Sequence, residues 1–185
     1  MNDFLKTSNG PNSLCLECGL CCNGVIFADV QLQPGDDPAR LQALGLPLKL
    51  KPAKGLGAGA NPNQWKFAQP CTALDGCHCR VYAERPGHCR AFECLLLKSV
   101  KAGGIQPAAA LDVIREARRR ADVVEGLLQQ LGDSDTQSPL RSRFRRVQKR
   151  AEVEAWEAGK GIAYSELTLA MHDLNLMLSE RFYAG

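Results

Sequence analysis

Features of membrane, secreted and nucleic-acid-binding proteins are scarce in this sequence. None of its 185 residues belong to an uninterrupted apolar run of the ~18 residues that a transmembrane helix needs. The N-terminal segment MNDFLKTSNGPNS has no apolar stretch of signal-peptide length. The net charge of +3 is too small to indicate nucleic-acid binding by itself. We therefore expect a soluble, cytoplasmic protein, in a compartment that keeps its thiols reduced.

Recognisable enzyme motifs are also missing, so the sequence leaves open whether the protein is an enzyme. The three histidines have no partnering pattern, and no serine or threonine stands in a nucleophile-elbow context. Gly55, Gly57 and Gly59 lack the lysine and Ser/Thr of a P-loop, which favours a plain loop. The acids Asp36 and Asp37 stand beside proline, where we expect them to be exposed to solvent.

What the sequence does have is cysteine. Disulfides are an alternative use for these residues, but the expected compartment and the odd count argue against them. Buried structural thiols are a second alternative, but they would be scattered rather than clustered beside polar residues. Metal ligation is the interpretation that we prefer. The nine cysteines all lie in the first 94 residues: Cys15, Cys18, Cys21, Cys22, Cys71, Cys77, Cys79, Cys89 and Cys94.

The first cysteine group is CLECGLCC, residues 15–22. Cys15, Cys18 and Cys21 follow the C-x2-C-x2-C spacing that opens bacterial ferredoxin-type cluster sites. Gly19 between them permits a close backbone approach. A structural zinc also uses C-x2-C pairs, so zinc stays open as an alternative. The adjacent Cys21 and Cys22 suit a single zinc poorly, because neighbouring side chains diverge. Such a pair suits a larger cluster, two separate metals, or one ligand beside a free thiol. We favour an iron–sulfur cluster of the [4Fe-4S] type over zinc.

The second cysteine group occupies residues 71–94, CTALDGCHCRVYAERPGHCRAFEC. Asp75-Gly76 and Arg85-Pro86-Gly87 are turn signals, and the RVY between them predicts a short strand. These turns would direct the thiols of this segment toward a common point. His78 and His88 are weaker ligand candidates, since thiols are already in surplus. His172, on a helix far from both groups, is expected to be an ordinary surface residue.

Together these residues resemble a known family. CLECGLCC with C-x-C-R-V-Y-x3-P-x2-C-R-x-F-x-C is similar to the YkgJ-type cysteine-cluster family, whose signature is CxxCxxCC and which is described as a zinc- or iron-chelating domain. The resemblance covers roughly residues 12–98, and Cys77 departs from the pattern. It implies an iron–sulfur cluster or zinc as the cofactor. The metal ligands that it implies are Cys15, Cys18, Cys21, Cys22, Cys71, Cys79, Cys89 and Cys94.

The fold class predicted from the sequence is α+β with two parts. Residues 1–98 form a small, loop-rich cysteine domain that binds the metal, with short strands in GVIFADVQL and QWKFAQP. Residues 104–185 form a helical region, a hairpin or small bundle of about three amphipathic helices. The first helix starts near Pro107 and ends before GDSD and Pro139. The second ends at Gly159 and Gly161, and Ser165 is the expected N-cap of the third. The predicted apolar stripes contain Leu111, Ile114, Ala121, Val124, Leu128 and Leu131, then Leu140, Phe144, Val147 and Ala151, then Leu167, Met171, Leu174 and Leu178.

The cysteine pattern indicates the function of the protein more clearly than the predicted helices do. We expect a metal-binding protein whose metal organises the cysteine domain, with Arg85 and Arg90 offsetting thiolate charge. A redox or other enzyme that uses the centre chemically is the alternative, with Cys77 beside His78 as a candidate free thiol. A nucleic-acid-associated zinc module is the third class, suggested by RSRFRRVQKR, residues 141–150. A solvated helix face paired with Glu152, Glu154 and Glu157 explains that segment equally well. A protein partner or a second copy would bind the helical region, and no membrane partner is expected.

Overall fold

The computed structural model describes residues 13–50 and 65–183. Within these ranges it confirms an α+β fold with short strands in the N-terminal part and long helices in the C-terminal part. The predicted glycine-rich loop at residues 55–59 lies outside the described residues. None of the described helices is long and apolar enough to cross a membrane.

The cysteine part contains two small antiparallel sheets. In the first, β1 (Asp29–Gln31) and β2 (Lys49–Leu50) flank the central strand β3 (Trp65–Ala68). The pairing of Val30 with Phe67 places two buried side chains at its centre. The second sheet is a hairpin of β4 (Leu74–Asp75) and β5 (His78–Cys79). The two predicted strand segments are thus confirmed in β1 and β3.

Short helices connect these strands to the rest of the chain. They are α1 (Ser13–Cys18), α2 (Pro38–Ala43), α3 (Gly87–Ala91) and α4 (Leu95–Lys101). The helix α2 begins at Pro38, and the Asp37 carboxylate caps it by accepting the Arg40 amide at 3.1 Å. The strand predicted at RVY is wrong, because the chain turns after Cys79 and forms a 3-10 helix at Tyr82–Glu84.

Three long helices follow: α5 (Pro107–Gln130), α6 (Leu140–Val153) and α7 (Ala158–Arg181). The predicted start at Pro107 and the break before Leu140 are confirmed. The predicted boundary between the second and third helices is wrong, since Gly159 and Gly161 lie inside the first turns of α7. Ser165 is not an N-cap, because it lies inside α7 and its hydroxyl donates to the Gly161 carbonyl at 3.0 Å. Burial of α7 side chains further along outweighs the cost of about 1 kcal/mol for each helical glycine.

Two cores hold the described residues together. The larger core joins the apolar stripes of the long helices to Leu14, Leu20 and Val25 from the first cysteine segment and to Leu96 and Leu97 of α4. The smaller core lies beside the three-stranded sheet. Its buried members are Val30, Leu32, Leu41, Leu46, Leu48, Phe67 and Ala73.

The basic segment of α6 is largely engaged within the protein. Arg143 is buried, and its guanidinium donates to the Asp133 carboxylate at 2.9 Å. Arg146 reaches Asp133 and Asp135 at 3.0 Å, and Arg150 donates to the Leu131 carbonyl at 2.7 Å. The expected solvated face is found at the other cations of the segment, but it does not include the buried Arg143, which faces Asp133 of the α5–α6 connection. The remaining cations of this face are exposed: Arg141, Arg145 and Lys149.

Candidate metal centre

The first cysteine group wraps around a tight turn. The helix α1 carries Cys15 and Cys18 and ends before Gly19, whose φ of 68° is the left-handed conformation that glycine adopts without strain. The amide of Cys22 donates to the Gly19 carbonyl at 2.9 Å. A Cβ on Gly19 would lie 3.4 Å from the Cα of Cys77. Gly19 thus lets the two cysteine segments approach closely, as its position between the thiols predicted.

The backbone joins the two cysteine segments directly. The Cys71 amide donates to the Cys22 carbonyl at 2.7 Å, and the Gln69 amide donates to the Ala28 carbonyl at 3.1 Å. In the β4–β5 hairpin, Cys79 pairs with Leu74. Cys71 and Cys79 are thereby brought to Cys22, although about fifty residues separate the two segments.

Short helices position the last two thiols. Cys89 lies in α3, whose first residue Gly87 donates its amide to the Asp36 carboxylate at 2.7 Å. Cys94 is the N-cap of α4, and its sulfur accepts the Leu97 amide at 3.4 Å. The predicted solvent exposure of Asp36 is wrong, because its side chain is only 4% exposed. Sequence reasoning missed this positioning residue because its partners lie some fifty residues away.

All nine cysteines line one cavity of about 140 Å³. Each thiol is free and partly buried. No three cysteine, histidine or acidic side chains of the described residues are arranged to hold a single ion. The cavity volume is about ten times the 10–15 Å³ that one water molecule needs, so the cavity as a whole has room for a group larger than one ion.

Electrostatic interactions define a first set of four thiols: Cys15, Cys18, Cys21 and Cys94. Burial raises the pKa of the Cys15 thiol, and the neighbouring Cys94 adds to that rise. Burial raises the pKa of Cys18 to about 12, and the Leu20 amide opposes the rise by donating to the sulfur. The pKa of Cys21 is raised well above its usual value, first by burial and then by Cys18. This set contains the three thiols of the C-x2-C-x2-C spacing and one from the second segment.

A second set comprises the other four predicted ligands: Cys22, Cys71, Cys79 and Cys89. Burial raises the pKa of Cys22 to about 12, followed by the interactions with Cys71, Cys89 and Cys79. The pKa of Cys89 is also raised to about 12, by burial and then by Cys71 and Cys79. Cys71 has a pKa raised chiefly by burial, which the Ala73 and Leu74 amides oppose. Among the thiols, Cys18 acts most strongly on Cys21, followed by Cys22, whereas Cys71 acts most strongly on Cys22. The adjacent Cys21 and Cys22 therefore lie where the two sets meet.

Cys77 stands apart from both sets. Its sulfur contacts the guanidinium of Arg118 on α5, and the same guanidinium donates to the Glu17 carbonyl at 3.3 Å. Cys77 does line the cavity, but it is not among the thiols that interact with the two sets. This placement agrees with its departure from the family pattern.

Arginines lie beside the thiols, as the sequence predicted. Arg85 lowers the pKa of both Cys15 and Cys89, so it faces one member of each set. Its guanidinium lies 3.6 Å from the centre of the Tyr82 ring and donates to the Tyr82 carbonyl at 3.0 Å. Arg90 also lines the cavity and lies 3.8 Å from the Asp36 carboxylate. Two cations at this wall would offset the negative charge of metal-bound thiolates.

The histidines contribute less to the cavity. His78 is exposed in β5, and His88 packs edge-on against Phe27 with ring centres 5.1 Å apart. Neither lines the cavity, so the structure does not bring these two candidate ligands to the thiols. His172 is exposed on α7, as expected.

The residues present fit a thiolate-ligated metal group. Backbone amides already point at three of the sulfurs, those of Cys18, Cys71 and Cys94, and such amides stabilise a thiolate. Thiolate ligands select soft and borderline metals such as zinc and iron–sulfur clusters. The buried carboxamide oxygen of Gln69, which lines the cavity, has no hydrogen-bond partner among the described residues.

Comparison with protein families agrees with this geometry. The model of the family "CxxCxxCC: Putative zinc- or iron-chelating domain" matches residues 14–109, just over half of the chain. No curated protein and no solved structure matches the chain significantly. The matched residues include both cysteine segments and the helix α4 that begins after Cys94. The chain therefore belongs to the CxxCxxCC family of zinc- or iron-chelating domains.

Proposed function

We propose that this protein binds metal through eight thiolates in two sets of four, and that the bound group is an iron–sulfur cluster of the [4Fe-4S] type rather than zinc. The observation that carries the proposal is the cavity that all nine cysteines line, with eight of them divided into two interacting sets. When bound, such a group supplies crosslinks between distant segments and the capacity for one-electron transfer.

Three observations support a cluster. The ferredoxin-like spacing of Cys15, Cys18 and Cys21 lies within one set, together with Cys94. The cavity as a whole exceeds the volume that one ion needs. The N–H groups directed at sulfur, such as that of Leu97, are interactions that tune iron–sulfur clusters. Zinc in two four-thiolate sites is the alternative that the family description also includes.

The metal would organise the cysteine part of the fold. The core beside the three-stranded sheet has only seven buried apolar residues, and the strands are two to four residues long. A core of this size stabilises a domain weakly, so small domains often depend on metals or disulfides. Because Cys71 and Cys89 pack against this core, metal binding there would convert binding energy into folding energy.

Nucleic-acid binding is not favoured. Arg143, Arg146 and Arg150 of the basic segment are committed to Asp133, Asp135 and the Leu131 carbonyl. Besides Arg146, which is 43% exposed, three cations of that face are exposed, and exposed acids follow them at the end of α6. Such an arrangement fits a structural role for the segment.

The proposal is tested by anaerobic purification followed by analysis of iron, zinc and acid-labile sulfide. We expect brown protein with iron and sulfide in equal amounts and an absorption band near about 400 nm from thiolate-to-iron charge transfer. Colourless protein with stoichiometric zinc and no sulfide would reject the cluster but keep thiolate metal binding. Protein without metal, whose nine thiols all react with a thiol reagent in the native state, would reject both.

A further inference from the structure

The side chain of Gln69 is the one buried carboxamide at the wall of the thiol cavity. The residue is 2% exposed and ranks among the largest fully buried side chains. Its Oε1 atom is buried and has no partner within the described parts of the chain. Leaving such a group unpaired costs about 1–3 kcal/mol. A bound thiolate accepts hydrogen bonds and cannot pair with this oxygen, but it can pair with the NH₂ group if the carboxamide is turned so that NH₂ takes the position of Oε1.

The backbone fixes Gln69 beside the second thiol set. Its amide donates to the Ala28 carbonyl at 3.1 Å, and two residues later the Cys71 amide donates to the Cys22 carbonyl at 2.7 Å. Both Gln69 and Cys71 line the cavity. The residue is therefore held at the thiols by the same pair of backbone contacts that joins Cys22 to Cys71.

The charged side chains at the wall already have partners. Arg85 donates to the Tyr82 carbonyl at 3.0 Å, Arg90 lies 3.8 Å from Asp36, and Glu93 contacts Lys101. Backbone amides serve Cys18, Cys71 and Cys94 in the same cavity. A side-chain N–H from Gln69 would add a fourth donor of the same kind.

We propose that the Gln69 carboxamide donates a hydrogen bond to a metal-bound sulfur of the second set and thereby tunes the bound group. The inference rests on the proposed metal binding. A carboxamide offers an acceptor on one side and two donors on the other, so rotation of its terminal torsion presents its NH₂ group to a thiolate. In this proposal Gln69 is not a metal ligand, but it orients a metal-bound thiolate and changes its electron-donating strength.

The test compares Gln69→Met with wild type, because methionine matches the length of glutamine without a donor. Both proteins are loaded with Co²⁺ and with Zn²⁺, and Zn²⁺ affinity is measured against a chromophoric chelator. We expect Gln69→Met to bind Zn²⁺ about tenfold to a hundredfold more weakly, as for the loss of one hydrogen bond to a charged group. Its thiolate-to-cobalt charge-transfer band should move to lower energy, because a thiolate that loses a donor holds its electrons less tightly.

Further variants distinguish the loss of the proposed hydrogen bond to sulfur from a loss of folding. Gln69→Asn keeps the carboxamide but places it one methylene farther from the cavity. We expect its thiolate-to-cobalt band to shift in the same direction as in Gln69→Met, but by less. This variant replaces Gln69→Met if the latter does not fold. Gln148→Met on the exposed face of α6 is the matched control and should change neither affinity nor spectrum. If iron–sulfur protein is obtained, Gln69→Met should also lower the reduction potential, since hydrogen bonds to sulfur favour the reduced cluster.

The outcomes distinguish this inference from the proposed function. If wild type binds neither metal and carries no cluster, the proposed metal binding fails, and this inference fails with it. If wild type binds and Gln69→Met has the same affinity and the same spectrum, only the role of Gln69 is rejected. A weaker affinity with an unchanged charge-transfer band would assign Gln69 a purely structural role and would also reject it.

Discussion

The carboxylate of Asp36 accepts the backbone N–H of Gly87 at 2.7 Å, across 51 positions of sequence. Its other oxygen accepts the Gln33 amide at 2.8 Å. Through Gly87 this one side chain determines where α3 begins, and Cys89 follows two residues later. A residue with no thiol and no place in the cysteine pattern thus positions a proposed ligand.

Asp36→Ala should lower both stability and metal retention. Removal of the carboxylate leaves the Gly87 and Gln33 amides without their acceptor, which costs about 1–3 kcal/mol. Because the α3 segment is then held less firmly, we expect faster loss of metal from the set that contains Cys89. Urea unfolding and the rate of metal transfer to a chelator measure the two effects.

Asp37→Ala is the matched control for this prediction. Asp37 caps α2 by accepting the Arg40 amide at 3.1 Å and has no contact with the α3 segment among the hydrogen bonds of the described residues. Removal of the Asp37 carboxylate should lower the free energy of unfolding by about 1 kcal/mol and should leave the rate of metal release unchanged. Equal metal-transfer rates for the Asp36 and Asp37 variants would show that Asp36 does not position Cys89.

Single serine substitutions should remove metal from one set at a time. Cys94→Ser should affect the set of Cys15, Cys18 and Cys21, whereas Cys89→Ser should affect the set of Cys22, Cys71 and Cys79. We expect each variant to keep about half of the bound metal, because three thiolates remain at one site and four at the other. Metal analysis gives the amount, and alkylation followed by mass spectrometry identifies the thiols that become reactive.

Cys77→Ser provides the control within the same cavity. Its sulfur contacts Arg118 and lies outside both sets, so the variant should retain all of its metal. Loss of as much metal from Cys77→Ser as from Cys89→Ser would contradict the division into two sets of four.

Removal of the metal should unfold the sheet region and leave the long helices folded. The sheet core among the described residues is small and, in the proposed function, depends on the metal that its thiols bind, whereas α5, α6 and α7 bury apolar stripes in the larger core. Amide hydrogen exchange after chelation should show lost protection in β1, β3 and the β4–β5 hairpin, with little change in residues 107–130 and 158–181. Unchanged protection of Phe67 in metal-free protein would argue against a structural role for the metal.

Asp133→Asn should be strongly destabilising although it lies outside the metal site. Asp133 and Arg143 form a buried ion pair at 2.9 Å, with side chains 6% and 2% exposed. Breaking a buried pair by removing one charge costs about 3–5 kcal/mol, because the other charge stays buried. Asp135→Asn is the control, since Asp135 is 47% exposed and solvent screens its ion pair with Arg146. Urea midpoints that differ little between the two variants would contradict the prediction.

The C-terminal helices were the most predictable part of the fold. Their apolar spacing of three, four and seven residues is a local property of the sequence, and buried residues such as Ile114, Val147 and Leu174 follow it. The start of α5 at Pro107 was predictable for the same reason, since proline fits the first turn of a helix. The start of α7 was not, because the burial of Leu167 and Leu174 outweighs the two glycines in its first turns.

The sequence predicted that the cysteines bind a metal, but it did not predict how they are arranged in space. The count, spacing and polar surroundings of the cysteines indicated metal ligation, and the family match supports it. Spacing could not show that Asp36 is buried, that Gln69 lines the cavity or that Arg118 contacts Cys77, because each depends on segments far apart in the chain. No local pattern marks these residues.

The sequence alone therefore determined the helices and the kind of chemistry, because periodicity and thiol spacing act within a few residues. Tertiary structure decided how the thiols are divided. Cys21 and Cys22 are neighbours in sequence, yet Cys21 interacts with Cys18 and Cys22 interacts chiefly with Cys71 and Cys89. Cys18 is three residues from Cys21, whereas Cys71 and Cys89 lie about fifty residues or more from Cys22, and only the folded backbone brings that distant segment to Cys22.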